Sequence, residues 1–197
     1  MIDFFKQIFC GVNRGPDLTP LMKKEVQQQD TTEVSLFAQL FLILKGYVQK
    51  KDVGKNRGAW VDPINSWMGV EMGEPYCLSG ILYCLKTLEE STGARFDLPK
   101  LPSTQRFWAA VRPEFKELEA KSWSIGIMQS KKDPTKGHAV MVLSNPDSAG
   151  YIETFEFNTD ISGSRDGDGA FFTKRSILGT ENLKFLGFIP LNKAIYK

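Results

Sequence analysis

Among 197 residues there is a single histidine, His138, and there are only three cysteines, Cys10, Cys77 and Cys84. One histidine leaves one imidazole for any general base. Three cysteines do not make a disulfide framework. Cys77 and Cys84, if they share a helix, stand about 10 Å apart along its axis, beyond the roughly 7 Å Cα limit for a bridge. Reduced thiols are expected. The net charge of +2 is too small to argue for a nucleic-acid partner. The apolar run Val34–Leu44 is broken by Ser35 and Gln39 and is too short to span a membrane. Met1–Cys10 lacks a basic leader and a small-residue cleavage pattern, so no signal peptide is expected. Internal repeats, linkers and low-complexity tracts are missing too, and the economical expectation is one domain over residues 1–197, with 1–32 as an irregular arm and 33–197 as its body.

What is present suits a protein with a sizeable core. Hydrophobic residues make up 42% and charged residues 24%, the balance of ordinary soluble globular chains. Thr32–Lys50 carries Leu36, Phe37, Leu40, Phe41, Leu44 and Val48 at helical spacing. Asp52–Trp67 reads as polar loop. Leu78, Ile81, Leu82, Leu85 and Leu88 then recur at three- and four-residue steps until Ser91-Thr92-Gly93, with Pro75 placed as the first helical residue. Further helices are expected over Ser103–Val111 and Glu114–Ala120. From Trp123 the period shortens to two: strands are expected at Trp123–Met128, His138–Leu143, Tyr151–Asn158, Ala170–Ile177 and Lys184–Pro190. Helices first and strands last predict an α+β fold with an antiparallel sheet. Trp60, Trp67, Trp108 and Trp123 read mostly as core. Asp166-Gly167-Asp168-Gly169 reads as a turn, because it lacks the regular oxygen ligands of a calcium loop.

Chemistry is carried by few candidates. Cys77 follows Pro75-Tyr76 at the start of a helix, where the positive end of the dipole favours the thiolate; a buried structural cysteine is the bland alternative. His138 opens a strand directly after Gly137, with Val140 and Val142 on its face. In the next strand Ile152, Thr154, Glu156 and Asn158 share one face, so Glu156 and Asn158 address one spot. If the strands pair, that spot is the free nitrogen of His138, and a carboxylate there would fix its tautomer and steady the imidazolium. The constellation is Cys77 as nucleophile, His138 as base and then acid, Glu156 as orienter and Asn158 in support. Asn56 and Arg57 read as braces of the upstream loop, Cys84 as buried, and Cys10 as a core or arm residue.

Four segments, in order, resemble a known family: Gly54-Lys55-Asn56-Arg57-Gly58-Ala59-Trp60-Val61-Asp62, Gly73-Glu74-Pro75-Tyr76-Cys77, Gly137-His138-Ala139-Val140 and Glu156-Phe157-Asn158-Thr159. They are similar to the pieces of the cysteine- and histidine-dependent amidohydrolase/peptidase (CHAP) family, over roughly residues 54–190. Tyr76 stands where that family usually has tryptophan, and Phe157 where it has glycine. The Gly-Asp that usually opens the strand before the histidine is missing from Ser122–Met128.

The resemblance implies a papain-like fold, N-terminal helices packed on a C-terminal antiparallel sheet. It also implies a cysteine hydrolase of peptidoglycan, either an amidase or an endopeptidase, with Cys77 as nucleophile, His138 as base and Glu156 with Asn158 completing the site. The Cys77 backbone N–H would help hold the oxyanion, and Ser79 and Gly80 would let the helix approach the sheet. No metal or organic cofactor is implied, nor membrane insertion; a monomer is expected. Synthesis in the cytoplasm with action on the cell wall fits a phage endolysin, a virion-associated hydrolase or an injected toxin, the first being preferred. Two alternatives stay open: another thiol acyl-transfer enzyme such as a protease or deamidase toxin, and a non-catalytic wall-binding module.

Overall fold

In a computed structural model of the protein, the residues described are 31–160 and 167–196. The chain divides into two compact units, residues 1–35 and 36–197. Cys10 and most of the N-terminal arm lie outside the described residues, as does Asp166 of the Asp-Gly turn. Helix α1 is Thr31–Lys45, α2 Asp62–Met68, α3 Cys77–Thr92 and α4 Thr104–Ala110. After these come β1 (Ser124–Ser130), β2 (Gly137–Val142), β3 (Tyr151–Thr159), β4 (Gly169–Ser176) and β5 (Leu183–Pro190), and a last turn of helix, α5 (Leu191–Ala194). The strands form one antiparallel sheet in the order β4-β3-β2-β1-β5. The fold class is α+β, as the switch from helical to two-residue period predicts.

Helix α3 positions the site. Its stripe Leu78, Ile81, Leu82, Leu85 and Leu88 is buried throughout, and it lies on β2 and β3. The helix stops at Gly93, whose φ of 78° gives a left-handed cap, with its N–H donating to the Glu89 carbonyl; only glycine adopts that conformation without steric cost. Its start is corrected by two residues. Cys77, not Pro75, is the first helical residue, and Tyr76 precedes it as the cap with no side-chain capping bond. The Tyr76 hydroxyl is instead engaged by Asp52, at 2.7 Å.

Gly80 faces the sheet, where a Cβ would come within 2.4 Å of the Phe157 ring. That ring has nowhere to retreat, since Tyr47, Phe155 and Tyr76 pack edge-on around it at centroid distances of 5.3, 5.2 and 6.4 Å. Gly80→Ala should therefore cost about 1–3 kcal/mol of stability through overpacking. Denaturant titration should show the loss shrinking in a Phe157→Leu background, which makes room for the methyl; strictly additive losses would mean that the ring is not the obstacle.

Four other elements depart from the sequence reading. Helix α1 ends at Lys45 rather than Lys50, because residues 49–52 spend their backbone groups on the start of β4: Gln49 N–H donates to the Ala170 carbonyl at 2.9 Å and Asp52 N–H to that of Asp168 at 2.7 Å. The stretch 52–67 is not all loop: α2 occupies Asp62–Met68, with Pro63 in its first turn, where a missing N–H costs nothing, and Gly69 as left-handed cap. Glu114–Ala120 is not a helix. A single 3₁₀ turn, Pro113–Phe115, is followed by Glu117 exchanging two 2.8 Å backbone bonds with Phe188 of β5. Of the four tryptophans only Trp123 is buried, stacked on Phe37 with centroids 5.2 Å apart; the others are half-buried. Among the described residues no helix is long and apolar enough to cross a membrane.

Candidate active site

The site is built where the sheet splits. β2 and β3 pair only at Met141↔Phe155 and Val142↔Thr154. Toward His138 the two strands part, and the start of α3 fills the gap. Backbone N–H groups freed in a buried split need new acceptors. The N–H of Ala139, in β2, donates to the Cys77 thiol, and that of Asn158, in β3, to the Tyr76 hydroxyl. Tyr76 and Cys77 thus take the place of the missing ladder bonds, which fixes the thiol beside His138.

His138 and Glu156 are both fully buried. Nε2 of the imidazole lies 2.8 Å from Glu156 Oε2. An ionised carboxylate only accepts hydrogen bonds, so Nε2 carries the proton and donates it. The basic lone pair of the neutral ring is then on Nδ1. This nitrogen is buried without a well-formed hydrogen bond, and Cys77 is the side chain coupled to it. The contact is looser than a full hydrogen bond, as thiol–base pairs commonly are before substrate tightens them.

The two groups favour their charged forms together. Burial alone would push the Cys77 thiol up. The neighbouring His138 and the N–H groups of Ala139 and Leu78 outweigh it and hold the thiol below its ordinary value. Burial alone would likewise pull His138 down, but Cys77 and then Glu156 push it up to about 9. Both shifts favour thiolate with imidazolium, the reactive form of a cysteine nucleophile.

Glu156 is held by five donors. Thr154 Oγ1 (2.6 Å), Thr173 Oγ1 (2.7 Å) and Arg175 Nε (2.7 Å) all donate to Oε1, while Arg175 Nη2 and His138 Nε2 share Oε2. Against a burial cost that would raise it, Arg175 and then His138 keep this carboxyl well below the usual carboxylate range. Arg175, at 6% exposure, closes an array of alternating sign: Cys77 thiolate, His138 imidazolium, Glu156 carboxylate, Arg175 guanidinium. Its net charge is zero, the condition under which buried ions are tolerated.

The structure therefore brings Cys77, His138 and Glu156 together. It gives Asn158 a different place. The expected two-residue alternation breaks at a bulge between Phe157 and Thr159, where Asn158 takes a φ of 55°. Its backbone serves Tyr76, as described above. Asn56 and Arg57 brace the approach to the nucleophile: Asn56 Nδ2 donates to the Gly73 carbonyl at 3.0 Å, Asn65 Nδ2 to that of Glu74 at 3.2 Å, and Arg57 grips Asp62 with two bonds of 3.0 and 3.2 Å. Cys84 is fully buried and its thiol is pushed up by that burial.

Sequence reasoning missed Arg175, Thr173 and the Tyr76–Asp52 bond. The alternation Thr173, Arg175 in β4 was a usable signal for a polar face, but only the register Thr154↔Thr173 aims it at Glu156. Among the described residues no cluster of three or more histidine, cysteine, aspartate or glutamate side chains is arranged to hold a metal ion. No family model, no curated protein and no solved structure matches the chain.

Proposed function

We propose that the protein is a cysteine-dependent amide hydrolase of papain-like fold, and that its substrate is bacterial peptidoglycan. The observation that carries the hydrolase reading is the Cys77 thiol at the first residue of α3, charge-coupled to an imidazole whose far nitrogen is fixed by a buried carboxylate. The four-segment resemblance to the CHAP family supports the fold name and the substrate class.

On this reading the thiolate sulfur attacks the amide carbonyl carbon. The carbonyl π electrons move to oxygen, and the Cys77 backbone N–H, which as the first of the helix has no intrahelical acceptor, donates to that oxyanion. Collapse breaks the C–N bond as the His138 Nδ1 proton passes to the leaving nitrogen. A water, deprotonated by the now neutral Nδ1, attacks the thioester, and loss of the sulfur regenerates the thiolate beside the imidazolium.

Purified protein incubated with isolated sacculi should release soluble fragments bearing new amine and carboxyl ends, and Cys77→Ala should release none. Mass spectrometry of the fragments names the bond. Equal clearing by the alanine variant would sink the thiol mechanism. No new ends from any sacculus type, with cleavage of protein or peptide amides instead, would transfer the site to another class of substrate.

A further inference from the structure

We propose that Arg175 is a positioning residue for this site, acting through Glu156 to set the proton affinity of the Cys77–His138 pair. The proposal rests on the hydrolase reading for its catalytic meaning, but its physical content is independent of substrate. The charged groups involved come from four elements: Cys77 from α3, His138 from β2, Glu156 from β3 and Arg175 from β4. Asp160, just past β3, also acts electrostatically on Arg175.

Geometry gives the guanidinium this role. It reaches both oxygens of Glu156, a bidentate grip that fixes the carboxylate plane as well as its charge. One of those oxygens, Oε2, is the acceptor of His138 Nε2, so the grip also fixes the imidazole. Thr154 and Thr173 hold only Oε1; they would leave Oε2 free to swing. Electrostatically, the array without Arg175 carries one uncompensated negative charge in a buried site. Removing a positive charge raises the proton affinity of every group coupled to it, whichever member holds the proton. An imidazolium bound too tightly by a bare carboxylate is a poorer acid toward the leaving amine. Arg175 offsets that pull by sharing the carboxylate.

The single histidine makes the test direct, because its imidazole NMR signals belong to His138 alone. Arg175→Met, in an otherwise intact chain, should move the His138 titration to higher pH by about one unit or more, and both limbs of the pH–rate profile should follow. Arg175→Lys keeps the charge and should leave the midpoint within a few tenths of a unit of wild type while lowering kcat. An unmoved or lowered midpoint in folded Arg175→Met overturns the role. Should that variant fail to fold, Arg175→Gln, which keeps a donor to Glu156 without the charge, takes its place; its midpoint should rise likewise, and no rise overturns the proposal equally. A shifted titration in a protein whose wild type cleaves nothing would instead refute the hydrolase reading and leave the coupling of Arg175 to His138 standing.

Discussion

His138→Ala should lower turnover by at least about 10⁴-fold, and a Cys77→Ala/His138→Ala double variant should be no worse than either single one. The two side chains act as a unit, so their losses do not add. Nothing else in the chain can supply the imidazole, since there is no second histidine. The thiol should report the same change without any substrate. What holds Cys77 below its ordinary value is chiefly His138; without it, burial dominates and the thiol rises. Alkylation of Cys77 by iodoacetamide at neutral pH should slow accordingly, measured in a Cys10→Ser background, while Cys84 stays silent because it is fully buried and pushed up. Substantial residual turnover, or alkylation at the wild-type rate, would remove His138 from the base role.

The parts of this site that were legible in the sequence are those governed by local periodicity. Leu78, Ile81, Leu82, Leu85 and Leu88 announce α3 because a buried helical stripe needs that spacing, and alternation around His138 and Glu156 announces β2 and β3. A lone histidine and a cysteine at a helix start narrow the chemistry further. The rest depends on register, which no local pattern states. A period of two puts Asn158 on the face of Glu156, as a supporting polar group. A bulge of one residue ends that period, and only the paired strands reveal it. Arg175 stands nineteen residues beyond Glu156, and its role exists only once β3 and β4 align Thr154 with Thr173. Pro63 lies in a stretch of loop-like composition, although proline is equally at home in the first turn of a helix; here Gly69 closes α2 seven residues after Asp62 opens it.

The split between β2 and β3 joins fold to chemistry. A continuous ladder would satisfy Ala139 and Asn158 with each other's strands and leave no room for a side chain. Parting the strands frees those N–H groups, and the start of α3 inserts Tyr76 and Cys77 to receive them. The thiol accordingly gains a backbone donor that a surface cysteine lacks. Close approach of the helix is also what places Gly80 against Phe157. The Phe157 ring fills the space under this helix glycine, and the two positions make a matched pair.

Glu156→Ala should be the most destabilising single change in the site, at about 3–5 kcal/mol, because it strands a buried guanidinium and a buried imidazole without their acceptor. Glu156→Gln, which keeps the shape and an accepting oxygen, should cost less, and Glu156→Gln/Arg175→Met less again, since an uncharged pair leaves no unpaired ion. The pH dependence of unfolding separates this from a simple packing loss. In the unfolded chain a glutamate titrates near its ordinary 4.5, and in the folded protein Glu156 lies well below that. Its ionisation therefore stabilises the fold above 4.5, and the contribution is lost as pH falls toward the folded value. His138 has the opposite sign. Raised from 6.5 to about 9, it stabilises fully below 6.5 and loses that contribution as pH rises through about 9. Cys77, held below its ordinary 9.0, has the sign of Glu156 and offsets the His138 loss as pH rises toward 9, so wild-type stability should decline chiefly on the acid side, below 4.5. Denaturant midpoints measured from well below 4.5 up to neutral pH should show the acid decline flattened in Glu156→Gln and in Glu156→Gln/Arg175→Met. Parallel curves for wild type and both variants would mean that the buried array carries no net coupling to folding, and that Glu156 is held by packing alone.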